Sequence, residues 1–485
     1  MRQPRPPIDY PPDAFADPSA VPAPLSDEVL VELAGEHLDV DVATAARAEA
    51  ARDWWPLSLA DTAAGRVSHW PGAVVRARHA DDVRATLRVA RRHRVAVTAQ
   101  GGRSGVQGGA VAPDGGIALD LTRLDRVLDV DPVAGQVSVE AGVFGPDLET
   151  ALALHGLTLG HFPQSFDIST VGGWLATRGA GQYSNRYGTI ADVVREIDVV
   201  LASGQLVRLG SRAPRRALGP ELVQLFVGSE GTLGVITRAT LAVRRAPASE
   251  VRGAWAFTTF DAGLDACRRI LQRGATPAVA RLYDEAESRR HFSRDDCVLI
   301  VLDEGDAYLT AATYQVVAEE CSRAAFLGEQ PVATWLERRN DVSDLAPLWS
   351  RGVVVDTIEV SAPWSALAAI RAAMLGALRA VEGSVGASCH QSHGYADGAC
   401  LYVTFAGVPG ADPTAYYRRA WEVATHAALS HGAALSHHHG VGRNRARFLA
   451  DALDDQFDLL VTLKRVLDPD GILNPGVLAL AGAPW

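Results

Sequence analysis

From residue 72 onward the apolar positions fall into short blocks that alternate between two periods. Residues 74–77, 95–98, 117–121 and 137–142 are compact apolar runs bounded by Gly, Pro or Asp, which predicts strands. Residues 80–93 instead place Val83, Leu87, Val89 and Ala90 on one face with arginines opposite, the signature of an amphipathic helix. A further helix is predicted over 147–155, and strands over 193–202 and 235–244 close this unit. A composition shift with a proline at 244–254 (RRAPASEVRGA) predicts a domain boundary there. Beyond it helices are predicted over 261–273, 309–325, 364–381, 414–431 and 455–467, and strands over 297–302, 353–360 and 399–405. The proline-rich start predicts an extended arm, followed by a helical lead-in over roughly 26–54. The expected division is therefore arm and lead-in over 1–70, a first domain over 71–247 and a second over 248–485.

Charge and composition narrow the function classes. The net charge of −11 supplies no basic field for nucleic acid or an anionic membrane, so neither partner is expected. Five scattered cysteines without CxxC spacing read as reduced thiols, and the N-terminus carries no apolar signal-peptide core. No run of eighteen apolar residues occurs, so the expectation is a cytoplasmic protein without a transmembrane segment. Lys464 is the only lysine, which singles it out, and the plainest reading makes it a helix-surface residue.

Three glycine-rich loops, each at a predicted strand end, carry the first chemistry. GGRSGVQGG (101–109) directly follows a strand, STVGGWLATRGAGQ (169–182) offers Gly172, Gly173 and hydroxyls, and GSEGTLGVIT (228–237) forms the third. Glycines permit positive φ and let backbone N–H groups converge on an anion with no side chain in the way. One such loop alone reads as a tight turn; three in one half-chain read as a diphosphate cradle. None opens a helix as GxGxxG and no GK[ST] occurs, so neither the Rossmann fingerprint nor a P-loop is present.

With the motifs TAQGGRSGV, HFPQSFDISTVGGWLATRGAGQYSNRYG and VGSEGTLGVIT, the run 71–247 resembles the FAD-binding domain of the vanillyl-alcohol oxidase/p-cresol methylhydroxylase superfamily. The resemblance implies an α+β fold, with a two-subdomain FAD-binding domain of the p-cresol methylhydroxylase type followed by an α+β substrate (cap) domain whose C-terminal segment faces the flavin. It implies that Gly101, Gly102, Arg103, Ser104, Gly105 and Val106 surround the FAD diphosphate. Pro163, Gln164, Asp167, Ser169, Thr170, Gly172, Gly173, Thr177, Gly179, Ala180 and Ser184 would line the cofactor, and Glu230, Gly231, Gly234 and Ile236 would complete the site. Members with covalent flavin carry a His where this chain has Arg103-Ser104, so non-covalent FAD is expected.

The second half supplies reactive groups. SHHHGVGRNR sets His437, His438 and His439 in succession; on a strand only His437 and His439 would share a side. One histidine acting as acid or base is the simpler reading than a metal site. Related 2-hydroxy-acid dehydrogenases bind a divalent metal through two histidines and a GEHG carboxylate. Here Tyr395 and Tyr402 fall near the histidine positions and His438 replaces the Glu, so no metal is expected. SHHHGVG, GYADGACLY and LDPDGILNPG instead resemble the alkyldihydroxyacetonephosphate (alkylglycerone-phosphate) synthase family, which uses FAD without net redox change. Carried over, Tyr395 is the acid/base group, its pKa lowered by neighbouring histidines, and His437, His438 and His439 surround the reacting end. The family's arginine falls at Leu345, with Arg338, Arg339 or Arg351 as substitutes. The expected substrate is small or lipid-like, and the resemblance implies a homodimer. The alternatives are an FAD-linked oxidase or dehydrogenase acting on a 2-hydroxy acid or alcohol, and a flavin-binding protein without turnover.

Overall fold

The computed structural model describes residues 8–11, 13–15, 17, 21–341, 346–349, 351–410 and 412–480. Leu345 lies outside the described residues.

The first half builds two sheets. Three parallel strands, Ala73–Arg76, Ile117–Asp120 and Val97–Gln100, stand side by side, with Asp39–Asp41 antiparallel at one edge. Helix Ala80–His93 covers them with Val83, Leu87, Val89 and Ala90, as its periodicity predicts. Asp81 and Asp82 in its first turn and Arg91, Arg92 and His93 in its last complement the helix dipole. Five antiparallel strands form the second sheet, in the order Val127–Asp131, Gln136–Glu140, Val235–Ala242, Val194–Val200, Leu206–Gly210. Its core takes Leu148 and Leu152 from helix Gly145–Ala153 and Trp174 from helix Val171–Thr177. The two sheets meet where the loops after Gln100, before Val171 and before Val235 converge.

The second half is one seven-stranded antiparallel sheet, from Ala325–Gly328 through Ser249–Phe257, Cys297–Gly305, Val279–Tyr283, Ser384–Gly394 and Gly398–Gly407 to Val354–Pro363. Alternation along Cys297–Gly305 sorts its side chains to two cores. Leu299 and Val301 face helices Phe260–Gln272, Trp364–Arg379 and Pro413–Leu429, while Val298, Ile300 and Leu302 pack with Tyr183 and Tyr187 of the first half. Burial on both faces explains why this strand reads as an unbroken apolar run.

The structure refines the sequence reading at the lead-in, at the boundary and at the end of the chain. The expected boundary segment runs directly into strand Ser249–Phe257 of the second half, which pairs with Cys297–Gly305 along its whole length. The lead-in over 26–54 is not one helix: helices Asp27–Gly35 and Thr44–Ala50 flank strand Asp39–Asp41, and Leu25, Val29 and Leu33 enter the first sheet's core. The end of the chain returns to the first half: Ile472 and Leu473 pack under the parallel strands and Leu473 bridges Val97. Lys464 closes this return. Its ammonium donates to Thr232 O at 2.8 Å, Leu473 O at 2.7 Å and the Asp468 carboxylate at 2.6 Å, so it is a buried clip rather than a helix-surface residue. All five cysteines are buried free thiols.

Candidate active site

The glycine loops converge because their glycines allow the loops to touch. A Cβ on Gly102 would stand 1.9 Å from Ile168 O, and one on Gly101 would stand 2.3 Å from Thr170 Oγ1. Any side chain there would force the first loop off the second. Gly105 has open space instead, on the cavity side. The amides of Gly102 through Val106 donate to no protein acceptor among the described residues, yet these residues line a single deep cavity between the loops. Five consecutive free donors over a glycine surface fit the FAD diphosphate. Arg103, at φ 52°, turns its guanidinium away to the Glu49 carbonyl and carboxylate at 2.6 and 2.9 Å, so nothing nucleophilic stands at that position.

The same cavity is lined by Pro163, Gln164, Ser169, Thr170, Gly172, Gly173, Thr177, Gly179, Ala180, Glu230, Gly231, Gly234 and Ile236, the groups expected around FAD. Two expected residues do not line it. Asp167 is exposed on a short 3₁₀ turn, and Ser184 is buried behind the wall with its hydroxyl 2.7 Å from His393 Nδ1. Glu230, at φ 49°, binds the second half: its carboxyl oxygens accept from Val441 N at 2.7 Å and Gly442 N at 2.8 Å. Burial pushes that carboxyl up to about 7 against the two amides. Thus the third glycine loop holds the histidine loop directly.

The histidine loop is not a strand. Residues 437–439 are successive bends, and their backbone amides wrap a single carboxylate, Glu359. It accepts from His437 N at 2.5 Å, His439 N at 2.9 Å and Ser436 Oγ at 2.8 Å, and pairs with Arg445 at 3.0 Å, both charges fully buried. Burial alone would raise Glu359; Arg445, then His439 and His437, outweigh it and hold the carboxyl at about 2. Alternation does not apply in such a wrap, which sets the His437 and His438 rings 5.1 Å apart and leaves His439 4.5 Å beyond.

A chain of hydrogen bonds results. Tyr395 OH lies 2.6 Å from His437 Nε2, His437 Nδ1 lies 2.9 Å from His438 Nδ1, and His438 Nε2 lies 2.7 Å from Tyr402 OH. Tyr402 OH then stands 3.3 Å from His393 Nε2, which leads to Ser184. Burial, reinforced by neighbouring imidazoles, drives His438 and His393 well below their ordinary value, and burial takes His439 to about 4, so these rings are neutral. Neutral rings allow the chain to be polarised from Tyr395 to Ser184 or the reverse, each group donating once and accepting once. His393, His437 and His438 also offer ring nitrogens within 4.8 Å of one another, the spacing of a metal site, but all six of their nitrogens are engaged in this chain.

Tyr395 departs from expectation in two ways. It is 36% exposed and does not line the cavity, and enough of its ring is enclosed that burial pushes the phenol up, not down. His437 is likewise one step behind the wall; the groups that line it are His438, His439, His393, Tyr402 and Arg281. Sequence reasoning missed Glu359, His393 and Arg281. A lone Glu within the apolar strand run VVDTIEV was the available signal for the first, since an unpaired buried carboxylate is costly. Of the arginines considered for the Leu345 position, Arg339 stacks on Tyr183 at 4.9 Å, while Arg338 and Arg351 are exposed. None of the three lines the cavity.

Two family models match the chain, "FAD binding domain" over residues 71–210 and "FAD linked oxidases, C-terminal domain" over 246–478. With the cradle they define the class: the protein is an FAD-dependent enzyme with the p-cresol methylhydroxylase fold. p-Cresol methylhydroxylase itself, at 15% identity over 95% of this chain and 99% of its own, superposes with a TM-score of 0.74, which establishes the fold alone. Closer in sequence is alkyldihydroxyacetonephosphate synthase of Trypanosoma brucei brucei, 28% identical over 95% of this chain and 81% of its own. A solved alkyldihydroxyacetonephosphate synthase, 26% identical, covers 95% of this chain and 88% of its own with a TM-score of 0.80. The uncharacterized FAD-linked oxidoreductase YgcU of Escherichia coli K12 is also 28% identical, over 84% of this chain and 89% of its own. Among the described residues no helix is long and apolar enough to cross a membrane.

Proposed function

We propose that the protein is an alkylglycerone-phosphate synthase-type transferase, replacing the acyl group of an acyl-dihydroxyacetone phosphate by the alkoxy group of a long-chain alcohol. The observation that carries this reading is the apolar part of the cavity lining: Trp54, Pro56, Leu59, Trp349 and Val355 line the same cavity as His438 and Tyr402. A small hydroxy acid has no use for such a wall, whereas an alkyl chain gains ~0.8 kcal/mol for each methylene buried there. The cradle residues Gly101 to Val106 would hold FAD non-covalently, and the flavin would supply a ring able to act as nucleophile and as leaving group.

The chain's own residues handle the protons. The carbon–oxygen bond to the acyl group breaks with release of a fatty acid, and the entering alcohol must lose its hydroxyl proton. Tyr402 and His438 stand at the cavity and exchange that proton; His437 and Tyr395 pass it to the rim. A phenol with a raised pKa acts here as a donor–acceptor within a neutral chain, not as a phenolate. The reading places the protein in cytoplasmic lipid biosynthesis as a homodimer. Holoenzyme incubated with palmitoyl-dihydroxyacetone phosphate and labelled hexadecanol should release palmitate and form labelled ether product in equal amounts. Absence of both overturns the reading. The likeness to YgcU supports a second one, an FAD-linked oxidoreductase in which the same pair removes a proton from a hydroxylated carbon.

A further inference from the structure

Helix Asp455–Leu467 carries in its last turn the single lysine among the chain's 46 lysines and arginines. The Lys464 ammonium has three N–H bonds on one atom, and three oxygens stand 2.6–2.8 Å from it: Thr232 O, Leu473 O and Asp468 Oδ2. Thr232 belongs to the third glycine loop, whose Ser229, Glu230, Gly231 and Gly234 line the cavity, so the helix is tied to the cavity wall directly. Asp468 closes the turn that follows, accepting from Ile472 N at 3.1 Å and Leu473 N at 2.7 Å. The closed turn delivers Asn474 to the seam between the first and third loops. Asn474 Nδ2 donates to Gly109 O at 3.0 Å and to Glu230 O at 2.8 Å. Its Oδ1 accepts from Thr98 Oγ1 at 3.1 Å, and its backbone N–H donates to Val97 O at 2.9 Å. Both N–H bonds and the oxygen of this side chain are therefore spent on the strand and loops that form the cradle. From Glu230 the link runs on to the histidine loop through Val441 and Gly442.

We propose that Lys464 and Asn474 are positioning residues for the flavin: they latch the first and third loops at the spacing FAD requires, so cofactor affinity depends on a turn near the end of the chain. The free amides of Gly102 to Val106 hold an anion only where they converge. Losing one amide bond to a charged oxygen weakens binding about tenfold or more. An arginine cannot replace the lysine, because its donors are spread over a planar fork and cannot meet three oxygens grouped around one point. Compact donation, not charge alone, is what the position selects. This role follows from the FAD site alone, whichever reaction the flavin serves.

The test measures the FAD dissociation constant of holoenzyme by serial dilution, with free FAD read from its fluorescence, at a temperature where circular dichroism shows each variant folded. Lys464→Met, Lys464→Arg and Asn474→Gly should each raise the constant at least about tenfold over wild type. Asn474 sits at φ 41°, so glycine keeps the backbone of the turn and leaves the Lys464 clip intact while removing the amide that joins the two loops. Thr98→Val, which removes only the hydroxyl on Asn474 Oδ1, should give a smaller rise in the same direction. A merely structural role would lower the melting temperature and leave the dissociation constant alone. A folded Lys464→Met or Asn474→Gly that holds FAD within about twofold of wild type therefore overturns the proposal, as does Lys464→Arg with wild-type affinity. If Lys464→Met does not fold, Asn474→Gly and Thr98→Val decide by the same measure.

Discussion

Replacing Glu359 by Gln tests whether one buried carboxylate organises the catalytic end. The substitution is nearly isosteric and removes only charge and one acceptor. Two consequences follow from the geometry. Arg445, itself fully buried, loses its partner at 3.0 Å, and breaking a buried pair from one side costs about 3–5 kcal/mol. The new amide NH2 must also face one of the donors Ser436 Oγ, His437 N or His439 N, leaving a buried group unsatisfied at a cost of roughly 1–3 kcal/mol. The two losses overlap, so a destabilisation of at least about 3 kcal/mol is expected. At ~2–4 °C per kcal/mol for a domain of this size, Tm falls by roughly 6–12 °C in calorimetry of the holoenzyme at pH 7. The double variant Glu359→Met with Arg445→Met removes both charges and should recover most of the loss. Turnover should be lost in both, because the amides that place His437 and His439 lose their anchor. A single variant melting within about 2 °C of wild type, or a double variant no better than the single, refutes the reasoning.

Other outcomes follow from the same geometry. Gly102→Ala should yield folded but flavin-free protein on purification, since the new methyl meets Ile168 O; in wild type, acid precipitation should release all flavin to the supernatant. Tyr402→Phe should lower turnover by roughly 10²-fold with flavin content intact, whereas Tyr395→Phe, two hydrogen bonds behind the wall, should cost less than about tenfold. Dialysis against EDTA should leave turnover unchanged, because the ring nitrogens of His393, His437 and His438 are already engaged with one another, with phenols and with Ser184. Acid should destabilise the fold in two windows. His390 and His439, lowered from 6.5 to about 4, bind protons more readily when unfolded, so stability falls as pH drops from 6.5 toward 4. Glu359, lowered from 4.5 to about 2, adds a further loss between those values. Glu230, raised from 4.5 to about 7, opposes the first window, so Glu230→Gln should steepen the fall of Tm between pH 7 and 5.

Where one face of an element packs and nothing else is asked of it, the sequence was legible. Helix Ala80–His93 and helix Asp455–Leu467 have the ends their periodicity and stops predict. The glycine loops were legible because at positions such as Gly101 and Gly102 sterics leave no room for a side chain. Strand Ser384–Gly394 was not, because its consecutive buried residues His390, Gln391, Ser392 and His393 are polar and erase the apolar alternation. The histidine triplet misled for a related reason: its conformation is set by a carboxylate some eighty positions away, which no local rule detects. Tyr395 and Tyr402 look equivalent in GYADGACLY, and only the fold decides which of them faces the cavity.

The claim that the flavin serves group exchange rather than oxidation is most directly tested by its colour. Holoenzyme mixed anaerobically with palmitoyl-dihydroxyacetone phosphate should release palmitate without lasting reduction of the flavin. It should also stay oxidised with a panel of 2-hydroxy acids and alcohols. Stoichiometric bleaching by one of those alcohols or acids, with no palmitate released from the lipid, would contradict the account.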